Sequence, residues 1–257
     1  MNHNELSQKL FEAEKERSQI EALTTVFPEM KVEDAYQIQL INISRKIEMG
    51  EKLIGMKVGL TSKGMQQLLG VNEPDYGHLT DQMLLREGEI CKMTDLIQPK
   101  VEGELAFCLK ETLRGPGITI ADVYNATGWV VPAIEIVDSR IDNWKIKLCD
   151  TIADNGSSAK FILGSNFKPI DQVDMRLTGM TLEKNGQLIN SGTCAEVLGN
   201  PAAAVAWLAN KLSEFDIELK ENSIVLAGAL TAAQTAASGD VFSINFHGMG
   251  SLTVKFE

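Results

Sequence analysis

Three glutamates lie inside two apolar, strand-like runs, and any fold this chain adopts has to turn them outward or neutralise them. The runs are Gln98-Pro-Lys-Val-Glu102-Gly-Glu104-Leu-Ala-Phe and Ala133-Ile-Glu135-Ile-Val. Residues i and i+2 of a strand share a face, roughly 7 Å apart. Two carboxylates on one face amid Val, Leu, Ala and Phe are costly when buried without compensation. Either they face solvent on alternating strands, or a cation sits between them. If the two strands are neighbours, Glu102, Glu104 and Glu135 converge. An all-oxygen set suits Mg²⁺, Mn²⁺ or Ca²⁺, and zinc is disfavoured.

The remaining pattern predicts an α+β chain. Residues 1–50 read as an N-terminal helical segment of two helices. Leu6, Leu10 and Ala13 recur at helical spacing, as do Ala35, Ile38 and Ile41, and Pro28 separates the two runs. Residues 51–257 read as one compact catalytic unit rich in strands. Leu53–Thr61 is a strand with glycines where backbone comes close to something. Lys63–Gly70 is a short helix. Thr119–Trp129 is a helix capped by Thr119, and Val130–Asp138 a strand. Asn185-Gly186 marks a hairpin tip. Ala202–Glu214 is a helix, and the last three strands begin near Ile224, Val241 and Ser251. Strands and helices do not alternate regularly, which excludes a doubly wound parallel sheet.

Composition narrows the partners. The net charge of −11 disfavours nucleic acid and anionic membrane. No apolar run is long enough to span a bilayer and no signal-peptide core follows the polar start, so the cytoplasm is the expected place. The four cysteines show no CxxC spacing and read as reduced thiols. Nucleotide-binding glycine patterns, a nucleophile elbow and a zinc signature are missing.

Several polar residues accompany the glutamates. Lys57, between apolar neighbours and two glycines, is a candidate acid or base, because burial lowers a lysine pKa; an edge-strand lysine is the bland alternative. Asp75, after Pro74, is an acid/base group or a turn former. Arg140 pairs with a substrate carboxylate or with Asp138. Thr151–Ser158 reads as a polar loop whose Asp154, Asn155 and Ser158 bind a ligand or hold the loop. Thr231 is the hydroxyl in the small-residue run 227–233.

Taken in order, Gly55-Met-Lys-Val-Gly-Leu-Thr-Ser, Gln98-Pro-Lys-Val-Glu-Gly-Glu-Leu-Ala-Phe, Pro132-Ala-Ile-Glu-Ile-Val-Asp-Ser-Arg and Ala153-Asp-Asn-Gly-Ser-Ser resemble the fumarylacetoacetate hydrolase superfamily. Within it they are most similar to the branch of 2-hydroxypenta-2,4-dienoate (2-keto-4-pentenoate) hydratases and 4-oxalocrotonate decarboxylases. The resemblance runs from about residue 35 to the end. It implies a mixed β-roll behind N-terminal helices, Mg²⁺ or Mn²⁺ on Glu102, Glu104 and Glu135, an active-site lysine at Lys57, and a homo-oligomer. It also implies substrate contacts among Arg140, Asp154, Asn155, Ser158 and Thr231. The histidine that C–C hydrolases carry in an N-terminal loop has no equivalent here.

The activity implied is addition of water to 2-hydroxypenta-2,4-dienoate, giving 4-hydroxy-2-oxopentanoate, in meta-cleavage degradation of aromatic compounds. Lys57 and Asp75 are the groups expected to move protons. Asp75 resembles the hydratases, since the decarboxylases tend to be apolar there. A 4-oxalocrotonate decarboxylase is the alternative. A non-catalytic binding partner of a pathway enzyme is a third reading.

Overall fold

The computed structural model describes residues 1–257, with every side chain except those of Met65, Leu68 and Leu69. The helices are α1 (His3–Glu16), α2 (Leu23–Val26), α3 (Val32–Glu48), α4 (Lys63–Leu69), α5 (Ile120–Ala126), α6 (Leu148–Ala153) and α7 (Pro201–Leu212). The strands are β1 (Leu53–Gly59), β2 (Asp75–Thr80), β3 (Leu84–Leu85), β4 (Ile90–Cys91), β5 (Lys100–Leu109), β6 (Thr127–Val137), β7 (Ser158–Leu163), β8 (Gly179–Lys184), β9 (Gln187–Thr193), β10 (Ile224–Ala229), β11 (Gln234–Thr235), β12 (Val241–Phe246) and β13 (Gly250–Phe256).

They build two sheets. An eight-stranded sheet runs β2-β1-β10-β5-β6-β7-β3, with β11 added beside β5, and a five-stranded sheet runs β4-β13-β12-β8-β9. Pairing is mixed. β1/β10, β3/β7 and β4/β13 are parallel, and the other neighbours are antiparallel. This is the mixed, helix-flanked architecture the strand pattern predicts.

Strand alternation divides the large sheet into two working faces. Val101, Leu105 and Phe107 of β5, with Met56 and Val58 of β1, join the main core with α1, α3, α7 and the small sheet. The opposite face carries a second apolar floor of Ala106, Val131, Ala133, Phe161 and Leu226. Lys57, Glu102, Glu104 and Glu135 share the parity of that second face.

Local chemistry explains the helix ends. Asn2 caps α1 by accepting from the Glu5 N–H, and Asn200 caps α7 ahead of Pro201. Thr119 and Asp122 form a reciprocal capping box on α5. That helix ends at Ala126, earlier than the sequence pattern suggests. Thr127 and Trp129 belong to β6, because ladder pairing with Leu109 and Cys108 overrides weak helical propensity. Among the described residues no helix is long and apolar enough to cross a membrane.

The N-terminal helices reach the functional face through one buried side chain. Gln39 of α3 donates to the Tyr76 and Ile152 carbonyls at 3.0 and 2.7 Å and faces His78 Nδ1 at 2.9 Å. It therefore ties α3 to β2, which begins at Asp75, and to α6, which carries Thr151. Asp150 of α6 accepts from the Thr24 N–H and hydroxyl at 2.9 and 2.6 Å, docking α2 on the same helix.

Candidate active site

The register of β5 against β6 sets Glu102 directly across from Glu135. Like charges facing each other across two strands repel. Glu104, two residues on, projects from the same face. One carboxylate oxygen from each of the three lies within 4.8 Å of the others. Glu104 and Glu135 are buried, and among the described residues both oxygens of Glu135 lack a hydrogen-bond partner. Among the described residues, Glu104 accepts only the Gly228 N–H, at 2.8 Å. That donor is delivered by a register shift in β10 between Leu226 and Ala229. Gly228 has φ +115°, and a Cβ there would stand 2.3 Å from Thr61 Oγ1, so only glycine fits.

The electrostatics are strained in one direction. Burial, with Glu135 adding to it, pushes Glu102 up to about 7. Burial and then Glu135 and Glu102 hold Glu104 well above the ordinary carboxylate range, against the pull of Lys57 and Gly228. Three converging carboxylates, one of them, Glu135, with both oxygens buried and unpartnered among the described residues, fit a hard divalent cation, which takes oxygen ligands and cancels the repulsion.

Lys57 and Asp75 sit beside this cluster. Lys57 Nζ lies 3.5 Å from Glu135 Oε2, and both groups are buried. Burial alone lowers a lysine, but Glu135, Asp75, Glu102 and Glu104 surround this one and raise it above its ordinary value. The expectation of a burial-lowered lysine is thus reversed, because the attraction of the carboxylates outweighs desolvation. Asp75 opens β2, opposite Gly59 of β1. It is a buried strand residue, and the turn reading gives way. Its carboxyl packs against Gly59, where a Cβ would meet Oδ1 at 2.1 Å and Lys57 Nζ at 3.3 Å. Burial pushes Asp75 up, with Lys57 and the Thr151 hydroxyl pulling back incompletely. Its Oδ1 has no hydrogen-bond partner.

A cavity of about 570 Å³ opens over these groups. Lys57, Asp75, Glu102, Glu104, Thr151 and Thr231 are on its wall. The Thr231 hydroxyl is buried there without a partner. The other expected ligand contacts fall elsewhere. Arg140 donates through Nε to Asp154 Oδ1 at 2.5 Å and through Nη1 to the Asp138 carbonyl at 2.7 Å. The Asp138 carboxylate accepts the Ile97 and Gln98 N–H groups. Arg140 and Asp154 are therefore spent on each other and are not on the cavity wall. Asn155 clamps His78, accepting its N–H at 2.7 Å and donating to its carbonyl at 2.9 Å. Ser158 is buried with an unpartnered hydroxyl but is not on the cavity wall. Thr151–Ser158 is not a loop: α6 covers its first residues and a 3-10 turn, Asn155–Ser157, follows.

Sequence reading missed Lys100, Thr61 and Glu196 on the cavity wall; Trp144 and Thr151, the two ends of a segment that resembles the hydratases, are on it too. Lys100 was within reach, since it precedes Glu102 by two and so shares its face. Its ammonium lies 4.1 Å above the Trp144 ring, and the indole N–H is fixed on the Gln98 carbonyl at 3.0 Å.

A curled mixed sheet that gathers three strand-borne carboxylates beside a buried lysine defines a class of metal-site β-roll proteins. This chain belongs to the fumarylacetoacetate hydrolase family: residues 73–257 match the fumarylacetoacetate (FAA) hydrolase C-terminal family. It is 49% identical over 215 residues to a 2-hydroxypent-2,4-dienoate hydratase of Pseudomonas putida, covering 83% of this chain and 97% of the relative. It is 45% identical over 251 residues to a 2-hydroxyhexa-2,4-dienoate hydratase of Comamonas testosteroni, covering 97% of this chain and 95% of the relative. Among solved structures it is similar to 4-oxalocrotonate decarboxylase from Pseudomonas putida G7, complexed with magnesium and adipate. That match has a TM-score of 0.96 and 35% identity, covering 100% of this chain and 99% of the other.

Proposed function

We propose that this chain is a divalent-metal-dependent hydratase, a hydro-lyase that adds water to 2-hydroxypenta-2,4-dienoate to give 4-hydroxy-2-oxopentanoate in the meta-cleavage breakdown of aromatic compounds. The observation that carries the reading is the buried Asp75 carboxyl beside Lys57 on the cavity wall. Hydration across a carbon–carbon double bond moves protons at several atoms, and such a step needs positioned acid and base groups in a closed site. Relatives named as hydratases support it at 42–49% identity, above the 38% of one named as a decarboxylase.

In this reading Glu102, Glu104 and Glu135 hold Mg²⁺ or Mn²⁺. When bound, the ion supplies Lewis-acid polarisation to the C1 carboxylate and C2 oxygen of the substrate. Lys57, charged beside Glu135, stabilises negative character near C2. Asp75 and Lys57 take up the C2 hydroxyl proton and return one to C5, which converts the dienol to the α,β-unsaturated 2-oxo acid. Asp75 then draws a proton from water as its oxygen adds at C4 and returns that proton to C3, which leaves the carboxylate as it began. Thr231 and Thr151 offer hydroxyls to the same space, and Val137, Ile146 and Leu230 wall it with apolar surface.

The test is steady-state. Purified protein with Mg²⁺ should consume the absorbance of 2-hydroxypenta-2,4-dienoate and yield 4-hydroxy-2-oxopentanoate; persistent absorbance refutes the hydratase reading. The close fold match to a decarboxylase keeps a second reading in play. CO₂ release from 4-oxalocrotonate, with no dienoate hydration, would establish it. A homo-oligomer belongs to the same proposal. Exposed Phe167, Leu177 and Leu188 supply apolar surface for it, and analytical ultracentrifugation measures it.

A further inference from the structure

Glu196 is a charged group of the cavity wall that the proposed reaction does not use. The other charged wall residues described are Lys57, Asp75, Lys100, Glu102 and Glu104. Lys100 stands over the Trp144 ring and is attracted by Glu102. Glu196 is exposed, and among the described residues its carboxylate has no hydrogen bond or ion pair.

The fold holds the backbone that carries this carboxylate in place. Glu196 ends a 3-10 turn, Cys194–Glu196, that follows β9. Its neighbours Cys194 and Val197 are fully buried. The Cys194 N–H donates to the Thr178 carbonyl and the Ala195 N–H to the Arg176 carbonyl, both at 3.0 Å. The Leu198 N–H donates at 3.2 Å to the carbonyl of Thr61, another residue of the cavity wall. The turn is fastened on both sides, so the backbone of Glu196 cannot leave the cavity wall without unpacking Cys194 or Val197.

Orientation follows from burial. The chelating end of a 2-hydroxy or 2-oxo acid goes to Glu104 and Glu135, which are buried. With that end seated there, the far end would extend toward the wall residues that are open to solvent, Ala232 and Glu196, with part-buried Ala233 beside them in the chain. A neutral tail meets small side chains there. An anionic tail meets a carboxylate that no cation balances.

Resting on the hydratase reading, we infer that Glu196 is a specificity residue: its charge selects 2-hydroxydienoates with an uncharged tail and rejects those with a second carboxylate at the far end. The substrate class is therefore the monocarboxylic dienoates. Repulsion between one exposed and one half-enclosed charge amounts to about tenfold in affinity.

The test uses the Mg²⁺-loaded protein and two six-carbon ligands, 2-oxohexanoate and 2-oxoadipate, which share a chelating end and differ in a terminal carboxylate. Calorimetric titration should show the wild type binding 2-oxohexanoate about tenfold more tightly. Glu196→Gln, an isosteric change at an exposed position, should bring the two dissociation constants within about threefold, and Glu196→Lys should invert their order. Raising the ionic strength should narrow the wild-type gap. An unchanged ratio in Glu196→Gln, or equal wild-type affinities, overturns the inference. If neither acid binds, this inference and the 2-oxo acid reading fall together. An unchanged ratio in a protein that hydrates the dienoate sinks the inference alone.

Discussion

Two buried charged groups lie close together in this molecule, and they are finished differently. The Arg140 guanidinium and the Asp154 carboxylate are both fully engaged. The guanidinium serves Asp154 and the Asp138 carbonyl, while Asp154 Oδ2 also accepts the Arg140 N–H at 3.0 Å and lies near the Ser139 and Ser157 hydroxyls. Burial still lifts Asp154 to about 6 against the pull of Arg140. Around Glu135 the opposite holds. Two carboxylate oxygens are orphaned, Glu102 faces them across the ladder, and Lys57 at 3.5 Å is the nearest cation. A saturated knot of this kind orients backbone. An unsaturated one carries unfavourable free energy that a ligand can relieve. The contrast supports the proposed reading, with Arg140 in the scaffold and the glutamates free to bind, although both appear in the sequence as charged residues beside an apolar strand.

The largest expected effect comes from removing a carboxylate from the unsaturated group. Glu104→Gln keeps an oxygen for the Gly228 N–H but loses a charge. Turnover should fall at least about a thousandfold, since a Lewis acid contributes several kcal/mol to such a transition state. In the presence of a chelator the variant should be no less stable than the wild type, because the change relieves repulsion. A chelated variant that unfolds well before the wild type would make Glu104 structural and erase the contrast. A silent relative that only binds a partner would keep that partner in this variant, whereas an enzyme should lose metal affinity and activity together.

Arg140→Met attacks the other group. It strands Asp154 in the interior and should cost about 3–5 kcal/mol, read as a lower urea midpoint. Pairing it with Asp154→Leu should recover most of the loss, since the second change removes the stranded charge. A mild Arg140→Met phenotype combined with a specific rise in KM would return Arg140 to the substrate. Next in size is the response to Mg²⁺. At a concentration about 100 times its Kd, the ion should stabilise the wild type by about 2.7 kcal/mol, visible as a raised Tm. Arg140→Met should keep that increment and Glu104→Gln should lose it.

What the sequence made legible follows the range of the interactions. Alternation within β5 is local, so the shared face of Glu102 and Glu104 was readable, and Lys100 could have been read with them. The position of Glu135 opposite Glu102 depends on a register between strands some 30 residues apart, which the period of either strand leaves open. Asp75 looked like a turn former because Pro74 precedes it; its burial depends on the bare backbone of Gly59 on the next strand. Arg140 and Asp154 are fourteen positions apart with a helix between, and only the folded chain shows that they consume each other. Trp144 and Glu196 reach the cavity from turns, where no periodicity marks which way a side chain points.

The smallest effect tests whether the saturated pattern extends to β2. His78 is buried, with Nδ1 at 2.9 Å from Gln39 Oε1. Gln39 Nε2 already donates to two carbonyls, so Oε1 is the acceptor and His78 Nδ1 carries the proton. Burial lowers this histidine from 6.5 to about 4. The unfolded chain therefore binds more protons than the folded chain between those values. Stability from keeping His78 neutral is fully present above pH 6.5 and is lost as pH falls toward 4. Between pH 7.5 and 5.5 that loss is about 1 kcal/mol. The buried carboxyls titrate in both proteins, so the informative quantity is the difference between wild type and His78→Gln. Urea melts at the two pH values should show the wild type losing about 1 kcal/mol more than the variant. Equal losses would mean that His78 is protonated in the folded chain, and the network joining α3 to the strand of Asp75 would then carry a charge that the saturated description denies.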